Sequence, residues 1–366
     1  MHSNLKLPQY LELVGSGLSL FFNVLLLYII QRFSRPEYGS YRILMLVMTS
    51  LYVVYSAIEV LVLPSYFVFE YNYFLFTTHL VEYQNFSQVL IVTFCSVFGC
   101  MQMVLAAQFI YRFFSVASFH FLRERYFKGR RHIVWVGATT VFFINWYVVA
   151  WLVFANQGDH PKELEKEIME RFGRNVSEMA FTLVTYAQLD KNGNVQANYK
   201  DIVMILYLLL CASIPMTISL ICGIKTWLKI QSTISLAQKS RQLQRQERQL
   251  FLALLTQFTI PFLGNTVPML ILFLCPALHI STEPYTNYIC MPVPFYPVFD
   301  ALATTFVIKD YYRGVLKIFG FSQYTQNSTT YSNNNRAPPN TLNPRGSSGI
   351  SAELGSIHMV RMDSQM

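Results

Sequence analysis

Seven long apolar stretches run through this chain of 366 residues and constrain its fold more than any other feature. Each stretch has the length of about 20 residues that an α-helix needs to cross a bilayer core. Hydrophobic residues make up 53% of the chain and charged residues only 13%, roughly half the charged share of a soluble domain. The pattern predicts an all-α integral membrane protein, a seven-transmembrane helix bundle. The predicted spans are residues 10–30, 41–63, 88–114, 132–155, 202–227, 250–275 and 289–308.

The loops between these stretches differ in charge, and this difference predicts an orientation. Lys and Arg collect in the short cytoplasmic loops of membrane proteins. If the N-terminus lies outside, most of the basic residues fall in the inner loops and the C-terminal segment, whereas the outer loop 157–200 is rich in Asp and Glu. The formal net charge of +8 then reflects membrane topology and contact with lipid, and no nucleic-acid partner is expected. The sequence therefore predicts an N-terminus outside and a cytoplasmic C-terminus.

The rest of the chain divides by composition. Residues 1–9 form a short extracellular N-terminus ahead of the seven-helix domain, residues 10–308, and no cleavable signal peptide is evident. Residues 310–321 alternate apolar and basic side chains, which predicts an amphipathic helix along the membrane interface. Residues 322–366 are rich in Asn, Ser, Thr, Pro and Gly, which predicts a disordered cytoplasmic tail.

Two sequons and two cysteines bear on the outer loops. Asn85 and Asn175 each begin an Asn-X-Ser pattern in a predicted outer loop, so both are candidate glycosylation sites. Cys275 and Cys290 flank the last outer loop. They either form a disulfide in the oxidising exterior or remain two buried thiols, because the sequence alone gives no connectivity.

Polar and aromatic residues in the outer half of the spans are candidates for contact with a ligand. Aromatic and Met side chains with a few amides suit a small, weakly polar ligand. The alternative is packing between helices or, for Glu59, contact with lipid headgroups, which we favour slightly. The candidate ligand-binding residues are Glu59, Gln88, Thr93, Phe98, Tyr207, Asn265, Met269, Phe295 and Tyr296.

A second group of residues is a candidate conformational switch. Asn23, Ser50 and Asp300 lie at similar depth in three spans, where they form either a polar switch cluster or ordinary interhelical hydrogen bonds. Three prolines, at 215, 261 and 268, interrupt spans five and six. They provide a pivot for these helices or only static curvature.

The loop before span six lacks Gly and Pro and contains good helix formers, which predicts that this helix extends into the cytoplasm. Arg241, Arg245 and Arg248 there form a docking surface for a signalling partner or an ordinary solvated helix. No spacing typical of a metal site, nucleotide-binding loop or nucleophile elbow occurs, so we expect no enzyme activity, no cofactor and no metal.

Several segments, in order, resemble the nematode seven-transmembrane chemoreceptors of the str class. They are RPEYGSYRILM at 35–45, YSAIEVLVLP at 55–64, QFIYRF at 108–113, QLQRQERQLFLAL at 242–254, QFTIP at 257–261, YPVFD at 296–300 and VIKDYYR at 307–313. The resemblance extends over about residues 25–319. Each motif is weak, but the ordered set is fairly specific.

This resemblance implies an olfactory-type, serpentine G-protein-coupled receptor in the ciliary membrane of sensory neurons. Its implied partners are a small odorant or other chemical cue, volatile or weakly polar, and the α subunit of a heterotrimeric G protein. Tyr111 and Arg112 match the motif that closes span three and are implied to take part in coupling. The chain departs from the family at position 301, where Ala301 follows Asp300 in place of Pro. The residue directly before Tyr111 is Ile110, so no adjacent acid is available to pair with Arg112.

Two other functions remain open at this stage. A ligand-gated odorant cation channel would place the N-terminus inside, against the distribution of loop charge. A solute transporter is the less favoured alternative, because the sequence shows no internal repeat.

Overall fold

The computed structural model describes residues 6–155, 162–189, 194–235 and 241–320, with the side chains at 162, 189, 233–235 and 241–243 left out. The predicted tail, residues 322–366, therefore lies outside the described residues. Long helices dominate. The helices are α1 Lys6–Phe33, α2 Ser40–Val62, α3 Gln84–Val116, α4 His120–Phe127, α5 Ile133–Val149, α6 Lys162–Phe172, α7 Tyr199–Ser235, α8 Arg241–Pro261, α9 Val267–Ala277, α10 Thr286–Ile289, α11 Tyr296–Val307 and α12 Lys309–Ile318.

Six of the helical segments in the described part of the chain are long and apolar enough to cross a membrane. They correspond to the first six predicted spans, and α3 is the most buried of them. The seventh predicted span, 289–308, is not one continuous helix. Residues 290–295 form turns, and α11 has only 12 residues. Pro292 and Pro294 explain this break, because each removes a backbone donor and its ring obstructs the preceding helical turn.

The prediction of an all-α fold is wrong for the segments outside the long helices. Strands β1 (Pro64–Phe69), β2 (Asn72–Thr77) and β3 (Ala180–Thr185) form a three-stranded antiparallel sheet in that order. Two shorter strands, β4 (Ala187–Leu189) and β5 (Val195–Ala197), pair as a hairpin. Residues 64–77 are rich in aromatic and β-branched side chains around a turn at Glu70–Tyr71, a pattern typical of a β-hairpin.

The three-stranded sheet and α6 together form what we call the roof. Side chains alternate between the two faces of a strand. One face, which includes Phe67, Phe74 and Leu183, packs with Leu164 and Ile168 of α6 in a separate hydrophobic cluster. The other face belongs to the main core of the bundle. We call this end of the bundle the sheet end and the other end the Arg112 end.

Proline affects the two predicted kinked spans differently. Helix α7 continues through Pro215 as one helix, and the hydroxyl of Ser219 donates to the Pro215 carbonyl. A pivot at Pro215 in span five stays a prediction. In span six, α8 ends at Pro261 and a π-helix, Phe262–Thr266, connects it to α9. Pro268 lies in the first turn of α9. A π-helical segment next to proline is a recognised cause of a helix kink.

Candidate functional site

A cavity of about 130 Å³ lies at the sheet end, between the helices and the roof. The roof contributes Tyr66, Tyr73, Leu75, Thr182 and Val184 to its wall. Helix α3 contributes Phe94, Cys95, Phe98 and Gln102, and span four contributes Trp146, Ala150 and Phe154. Spans five and six complete the wall. The cavity is therefore a pocket between helices with a β-sheet on top.

The pocket wall is almost entirely apolar and uncharged. Its polar members among the described residues are three phenols, one indole, two amides, two aliphatic hydroxyls and one thiol, and no Asp, Glu, Lys, Arg or His is among the described residues that line it. Without a charged partner, an ionic ligand would lose its hydration and gain no compensating contact. The wall suits a small uncharged molecule.

The roof is held to the helices by hydrogen bonds at several points. The Gln88 amide donates to the Phe181 carbonyl (2.7 Å) and accepts from its N–H (2.9 Å), so it continues the edge of the sheet. The Asp201 carboxylate accepts from the Thr185 N–H at 3.0 Å, and the Asn287 side chain accepts from the Tyr66 N–H at 2.9 Å. These contacts fix the sheet over the pocket.

A partly exposed ion pair adds a further connection between α6 and the last loop of the sheet end. Arg171 contacts Glu283 at 3.4 Å and also Glu167 on its own helix. Burial raises the pKa of the Glu283 carboxyl, while hydrogen bonding from Thr286 and the nearby Arg171 oppose the shift. The pair therefore fixes α6 on the loop that precedes α10.

Three predicted ligand-binding residues, Phe98, Asn265 and Met269, line the pocket. They lie on α3, the π-helix and α9, so they come from separate elements. Phe98 meets the indole of Trp146 edge to face, with ring centroids 6.2 Å apart. The structure brings these three together.

Other predicted ligand-binding residues lie outside the pocket wall. Both polar atoms of the Gln88 side chain bind the roof, and the Thr93 hydroxyl donates to the Val89 carbonyl. Tyr207 is 41% exposed and donates its hydroxyl to Asn145 at 2.6 Å. Phe295 packs against Gly15 of α1. For these four, the position on the helix rather than the depth in the span decides which way the side chain points.

Glu59 does not contact the pocket and does not reach the surface, so the headgroup interpretation is wrong. Its side chain is completely buried and faces the carboxyl of Glu12 on α1, which is 6% exposed. Neither oxygen of Glu59 has a hydrogen-bond partner among the described residues. Two facing carboxyl groups in a dry interior cannot both be ionised at low cost. The pair is an uncommon buried contact between spans one and two.

Most residues of the pocket wall are not among the predicted ligand-binding residues. Tyr66 and Tyr73 lie on strands in a segment for which the sequence predicts a loop. Trp146 is one of many aromatic residues in an apolar span. The alternating aromatic pattern of 64–77 was the available signal for the two tyrosines. No pattern in the sequence points to Trp146. Gly99 allows its indole to lie against α3, because a Cβ on Gly99 would lie 2.6 Å from an indole carbon.

Aromatic side chains connect the pocket to the middle of the bundle. Tyr55 lines the pocket, and its ring lies 6.0 Å from that of Tyr296, which in turn lies 5.9 Å from that of Tyr52. Gly264 of the π-helix touches Tyr296, since a Cβ at Gly264 would lie 2.7 Å from the Cβ of Tyr296. The predicted ligand residue Tyr296 is thus placed beside the pocket, between the π-helix and Tyr52.

Below this aromatic group lies a set of buried polar side chains that we call the polar cluster: Asn23, Tyr52, Gln257 and Asp300. Asp300 is 1% exposed and faces Tyr52 and Gln257. Its two oxygens make no hydrogen bond of regular geometry with the described residues. The Asn23 amide donates to the Pro297 carbonyl at 3.2 Å, one turn before Asp300.

Ser50 is not part of the polar cluster, so its predicted association with Asn23 and Asp300 is wrong. Ser50 is exposed on α2, whereas the adjacent Thr49 is 2% exposed and donates to the Met45 carbonyl. Successive residues of a helix are rotated by about 100°, so neighbours point in different directions. The depth of Ser50 in its span therefore does not decide whether its side chain meets Asn23 and Asp300.

Arg112 is buried at the other end of α3 and stacks on Tyr41 rather than pairing with an acid. Its guanidinium carbon lies 4.0 Å from the Tyr41 ring centroid, and Arg112 as a whole is only 4% exposed. The ring of Tyr41 also stacks on that of Tyr111, at 6.0 Å. Phe127, the last residue of α4, packs edge to face on Tyr111. A cation–π contact therefore restrains Arg112 where the sequence offered no acidic partner.

A second restraint at the Arg112 end involves Asp310 at the start of α12. Its carboxylate accepts from Arg35 at 2.6 Å and from the Tyr38 hydroxyl at 2.6 Å. Burial and the Asp310 contact raise the pKa of the Tyr38 phenol, which stays protonated and donates. The short loop between α1 and α2 is thereby joined to α12.

The remaining predicted site residues lie at the surface. Arg245 and Arg248 are exposed on α8, and the side chain of Arg241 lies outside the described ones. Asn85 is exposed in the first turn of α3, and Asn175 is exposed in an extended conformation before a short 3-10 helix. All six cysteines, including Cys275 and Cys290, are free thiols. No group of three or more His, Cys, Asp or Glu that could hold a metal occurs among the described residues.

A membrane-spanning helix bundle with an apolar pocket at one end and a buried polar cluster beyond it defines a candidate ligand-responsive membrane receptor. Residues 8–316 match the model of the family described as serpentine-type seven-transmembrane GPCR chemoreceptor Str. The chain belongs to this family, a receptor family rather than an enzyme family, and the resemblance predicted from the motifs is confirmed.

The chain is also similar to individual nematode receptors. It is 24% identical over 320 residues to a serpentine receptor class r-10 of Caenorhabditis briggsae, which covers 86% of this chain and 91% of the relative. It is 24% identical over 302 residues to the G-protein coupled receptor str-33 of Caenorhabditis elegans, covering 81% of this chain and 86% of the relative. The similarity to these proteins extends over most of each chain.

Proposed function

We propose that this protein is a chemosensory receptor that binds a small uncharged ligand in the pocket beneath the roof and activates a heterotrimeric G protein. The observation that carries the proposal is the apolar, uncharged pocket that Tyr55 and Tyr296 connect to the polar cluster. Membership of the Str family supports the same class of function. The wall excludes ions by its lack of charged side chains, which supports a volatile or weakly polar odorant as the chemical cue.

The topology we propose places the N-terminus and the roof outside and the Arg112 end in the cytoplasm. Residues 290–307, with α11 as their helical part, complete a seventh crossing, and their turns are packed against α1 where Pro294 meets Gly15. The basic loops support this orientation. We place the receptor in the plasma membrane, in the ciliary membrane of sensory neurons, where odorants are accessible.

Glycosylation gives a direct test of the orientation. Asn175 and Ser177 are both exposed and Asn175 is extended, whereas Ser87 of the other sequon is buried and donates to the Leu80 carbonyl. We expect Asn175 to be the principal glycosylation site. Expression in a eukaryotic cell should give a band that endoglycosidase shifts and that Asn175→Gln removes, whereas Asn85→Gln has the smaller effect. An unglycosylated Asn175 would contradict the orientation.

The switch we propose acts through direct contacts. A ligand in the pocket presses on Tyr55, which displaces Tyr296 against Gly264 of the π-helix and Tyr52 of the polar cluster. The π-helix with Pro261 and Pro268 serves as the pivot of span six. Inverting a 1:99 equilibrium needs about 5.5 kcal/mol of differential affinity. A small ligand supplies this only if the polar cluster already lies close to balance.

The cytoplasmic partner we propose is a Gα subunit, which would contact the exposed Arg245 and Arg248, together with Arg241. Arg245 and Arg248 are exposed on α8. Movement of α8 would free Arg112 from Tyr41 to face the Gα subunit.

A ligand panel with and without G protein tests the proposal. The full-length receptor in nanodiscs is incubated with separate purified Gα subunits, Gβγ and volatile uncharged compounds, and nucleotide exchange is measured. We expect exchange to rise with at least one compound and one Gα, and Arg112→Ala to abolish the rise while compound binding persists. A compound-evoked current in the absence of any Gα, with no exchange on any Gα, would contradict the proposal and favour the channel.

A further inference from the structure

Two acidic side chains face each other inside the bundle, where spans one and two meet at the sheet end. Helices α1 and α2 are antiparallel neighbours, and the hydroxyl oxygens of Ser19 and Ser56 lie 2.5 Å apart between them. Glu59 lies about one helical turn from Ser56, and Glu12 about two turns from Ser19, both toward the sheet end. Glu59 is completely buried and Glu12 is 6% exposed. The two carboxyl groups therefore meet in the interior of the bundle.

No neighbouring side chain neutralises this pair. Neither carboxyl forms a salt bridge with a Lys, Arg or His among the described residues. The Ser16 hydroxyl, one turn from Glu12, donates to the backbone carbonyl of Glu12 rather than to its carboxyl group. One side-chain oxygen of Glu12 and both of Glu59 have no hydrogen-bond partner among the described residues. The pair thus lacks both a counter-ion and a donor.

The other titratable groups that face the pair carry no positive charge. The Tyr66 hydroxyl of β1 lies toward both carboxyls, and it has no hydrogen-bond partner among the described residues although Tyr66 is only 2% exposed. Phenols and thiols are neutral at pH 7. The further groups around the pair are Tyr55 of α2, Cys290 in the turn before α11, and Tyr296 of α11. The positive charge must therefore come from outside the described side chains.

The surroundings of the pair favour a proton over a metal ion. Two carboxylates in a dry interior repel each other, and a cation between them removes this repulsion. Calcium takes about six to eight oxygen ligands, whereas no group of three or more His, Cys, Asp or Glu that could hold a metal occurs among the described residues. A proton needs no cavity and only two oxygens.

We propose that Glu12 and Glu59 form a proton-binding site, in which one proton shared by the two carboxyl groups holds span one against span two. The proton comes from water, and its release leaves two carboxylates that push the helices apart. Tyr66 connects the site to the roof, because the same side chain also lines the pocket. The site requires neither the proposed ligand nor a G protein.

Thermal unfolding of the full-length receptor in nanodiscs, without ligand or G protein, tests the site. The glutamates of the unfolded chain are ionised at neutral pH, so the folded receptor holds the extra proton. Its stability is then greatest at low pH and falls as the pH rises. We expect the unfolding temperature to fall between about pH 5 and about pH 9, with the unfolding equilibrium constant rising by up to about tenfold per pH unit.

Glutamine variants remove the shared proton without opening a cavity. In Glu59→Gln, the amide N–H donates to the Glu12 carboxylate in place of the proton. This variant should remain folded and lose the part of the pH dependence that the pair causes. Glu12→Gln makes the same change from the other helix, so it remains informative if Glu59→Gln does not fold. Glu82→Gln is the matched control, because Glu82 is exposed, and it should keep the native pH dependence.

Infrared spectroscopy gives a second measurement that does not depend on stability. A protonated carboxyl group has a C=O stretch distinct from the bands of a carboxylate. At neutral pH, we expect this band in the native receptor and in Glu82→Gln. Because one proton serves both groups, either glutamine variant of the pair should lose the band.

Each outcome either supports or overturns the inference. Equal pH dependence in the native receptor and in both variants of the pair would overturn it, as would the absence of the protonated band or its persistence in both variants. Addition of Na⁺ or Ca²⁺ at constant pH should leave the unfolding temperature of the native receptor equal to that in a choline salt. A rise that the variants of the pair lack would assign the site to a metal ion instead.

Discussion

The two ends of the helix bundle differ in the contacts that restrain their functional elements. At the sheet end, hydrogen bonds from Gln88, Asp201 and Asn287 hold the roof, and the pocket beneath it is apolar. Toward the Arg112 end, side-chain atoms of Arg112 and Asp300 are buried without partners among the described residues. Unpaired buried groups are costly, and burying charge is more so. Buried atoms without partners among the described residues also occur at the sheet end, for example in Glu59 and Tyr66. The contrast therefore lies in the restraints: several hydrogen bonds fix the roof, whereas a cation–π contact restrains Arg112, whose unpaired atoms carry a cost that another arrangement can relieve.

This contrast indicates different functions for the two ends of the bundle. A fixed pocket selects a ligand by shape, because a rigid wall does not adapt to the wrong molecule. A set of imperfectly paired groups responds to a small push, because the gap to a competing arrangement is modest. The substitutions below either strengthen or remove the contrast, in order of expected effect.

The largest effect is expected from the roof core. Phe74 is completely buried between the sheet and α6, so Phe74→Ala should lower the free energy of unfolding of the roof by about 3–5 kcal/mol. Limited proteolysis of the roof and loss of compound binding measure this. Phe86→Ala is the control, because Phe86 is 54% exposed. If Phe74→Ala leaves binding and protease resistance unchanged, the roof is not a fixed part of the pocket.

The next effect concerns the restraint on Arg112. Tyr41→Leu removes the ring under the guanidinium, a contact of about 2 kcal/mol when desolvated, and should raise ligand-independent nucleotide exchange by up to about 30-fold. Tyr41→Phe keeps the ring and loses only a hydroxyl that has no partner among the described residues. The phenylalanine variant should therefore remain as quiet as the native receptor. Equal basal exchange in all three proteins would show that Tyr41 restrains nothing.

A smaller effect is expected at Asp310. Asp310→Asn weakens its hydrogen bonds with Arg35 and Tyr38. Because the Arg35 side chain is 42% exposed, solvent screening limits the expected loss of stability to about 1 kcal/mol. Thermal unfolding in nanodiscs at low and high salt measures it, with exposed Lys309→Gln as the control. A loss of several kcal/mol would mean that this restraint dominates the Arg112 end.

The smallest effect separates Ser50 from Thr49. Ser50 is exposed, so Ser50→Ala should change stability and basal exchange by less than about 0.5 kcal/mol. Thr49→Ala, one residue earlier, removes a buried hydrogen bond to Met45 and should cost about 1 kcal/mol. A larger effect of Ser50→Ala on nucleotide exchange would return Ser50 to the polar cluster.

The sequence predicted what periodic hydrophobicity and charge determine. Six long helices, the break near Pro261 and the burial of Asp300 follow from apolar length, proline chemistry and the cost of burying charge. The ordered set of motifs, which includes QFIYRF and YPVFD, indicated the family that the comparison confirmed. These features are local, so a single chain contains the information for them.

The direction of individual side chains was not predictable in the same way. Ser50 and Thr93 were chosen by depth in their spans, and a rotation of about 100° per residue decides the direction. Tyr66 and Trp146 enter the pocket through a long-range sheet pairing and through Gly99, neither of which a single sequence displays. The contact between Arg112 and Tyr41 likewise joins two distant helices.

The central claim is that the pocket at the sheet end controls the switch at the Arg112 end. The most direct measurement compares nucleotide exchange in the single variant Tyr41→Leu and in the double variant Tyr41→Leu with Ala212→Trp. Ala212 lines the pocket, so the tryptophan occupies the cavity. Each variant is measured with and without the most active compound. We predict that the double variant keeps the raised basal exchange and loses the response to the compound. An undiminished response with the pocket filled would contradict the account.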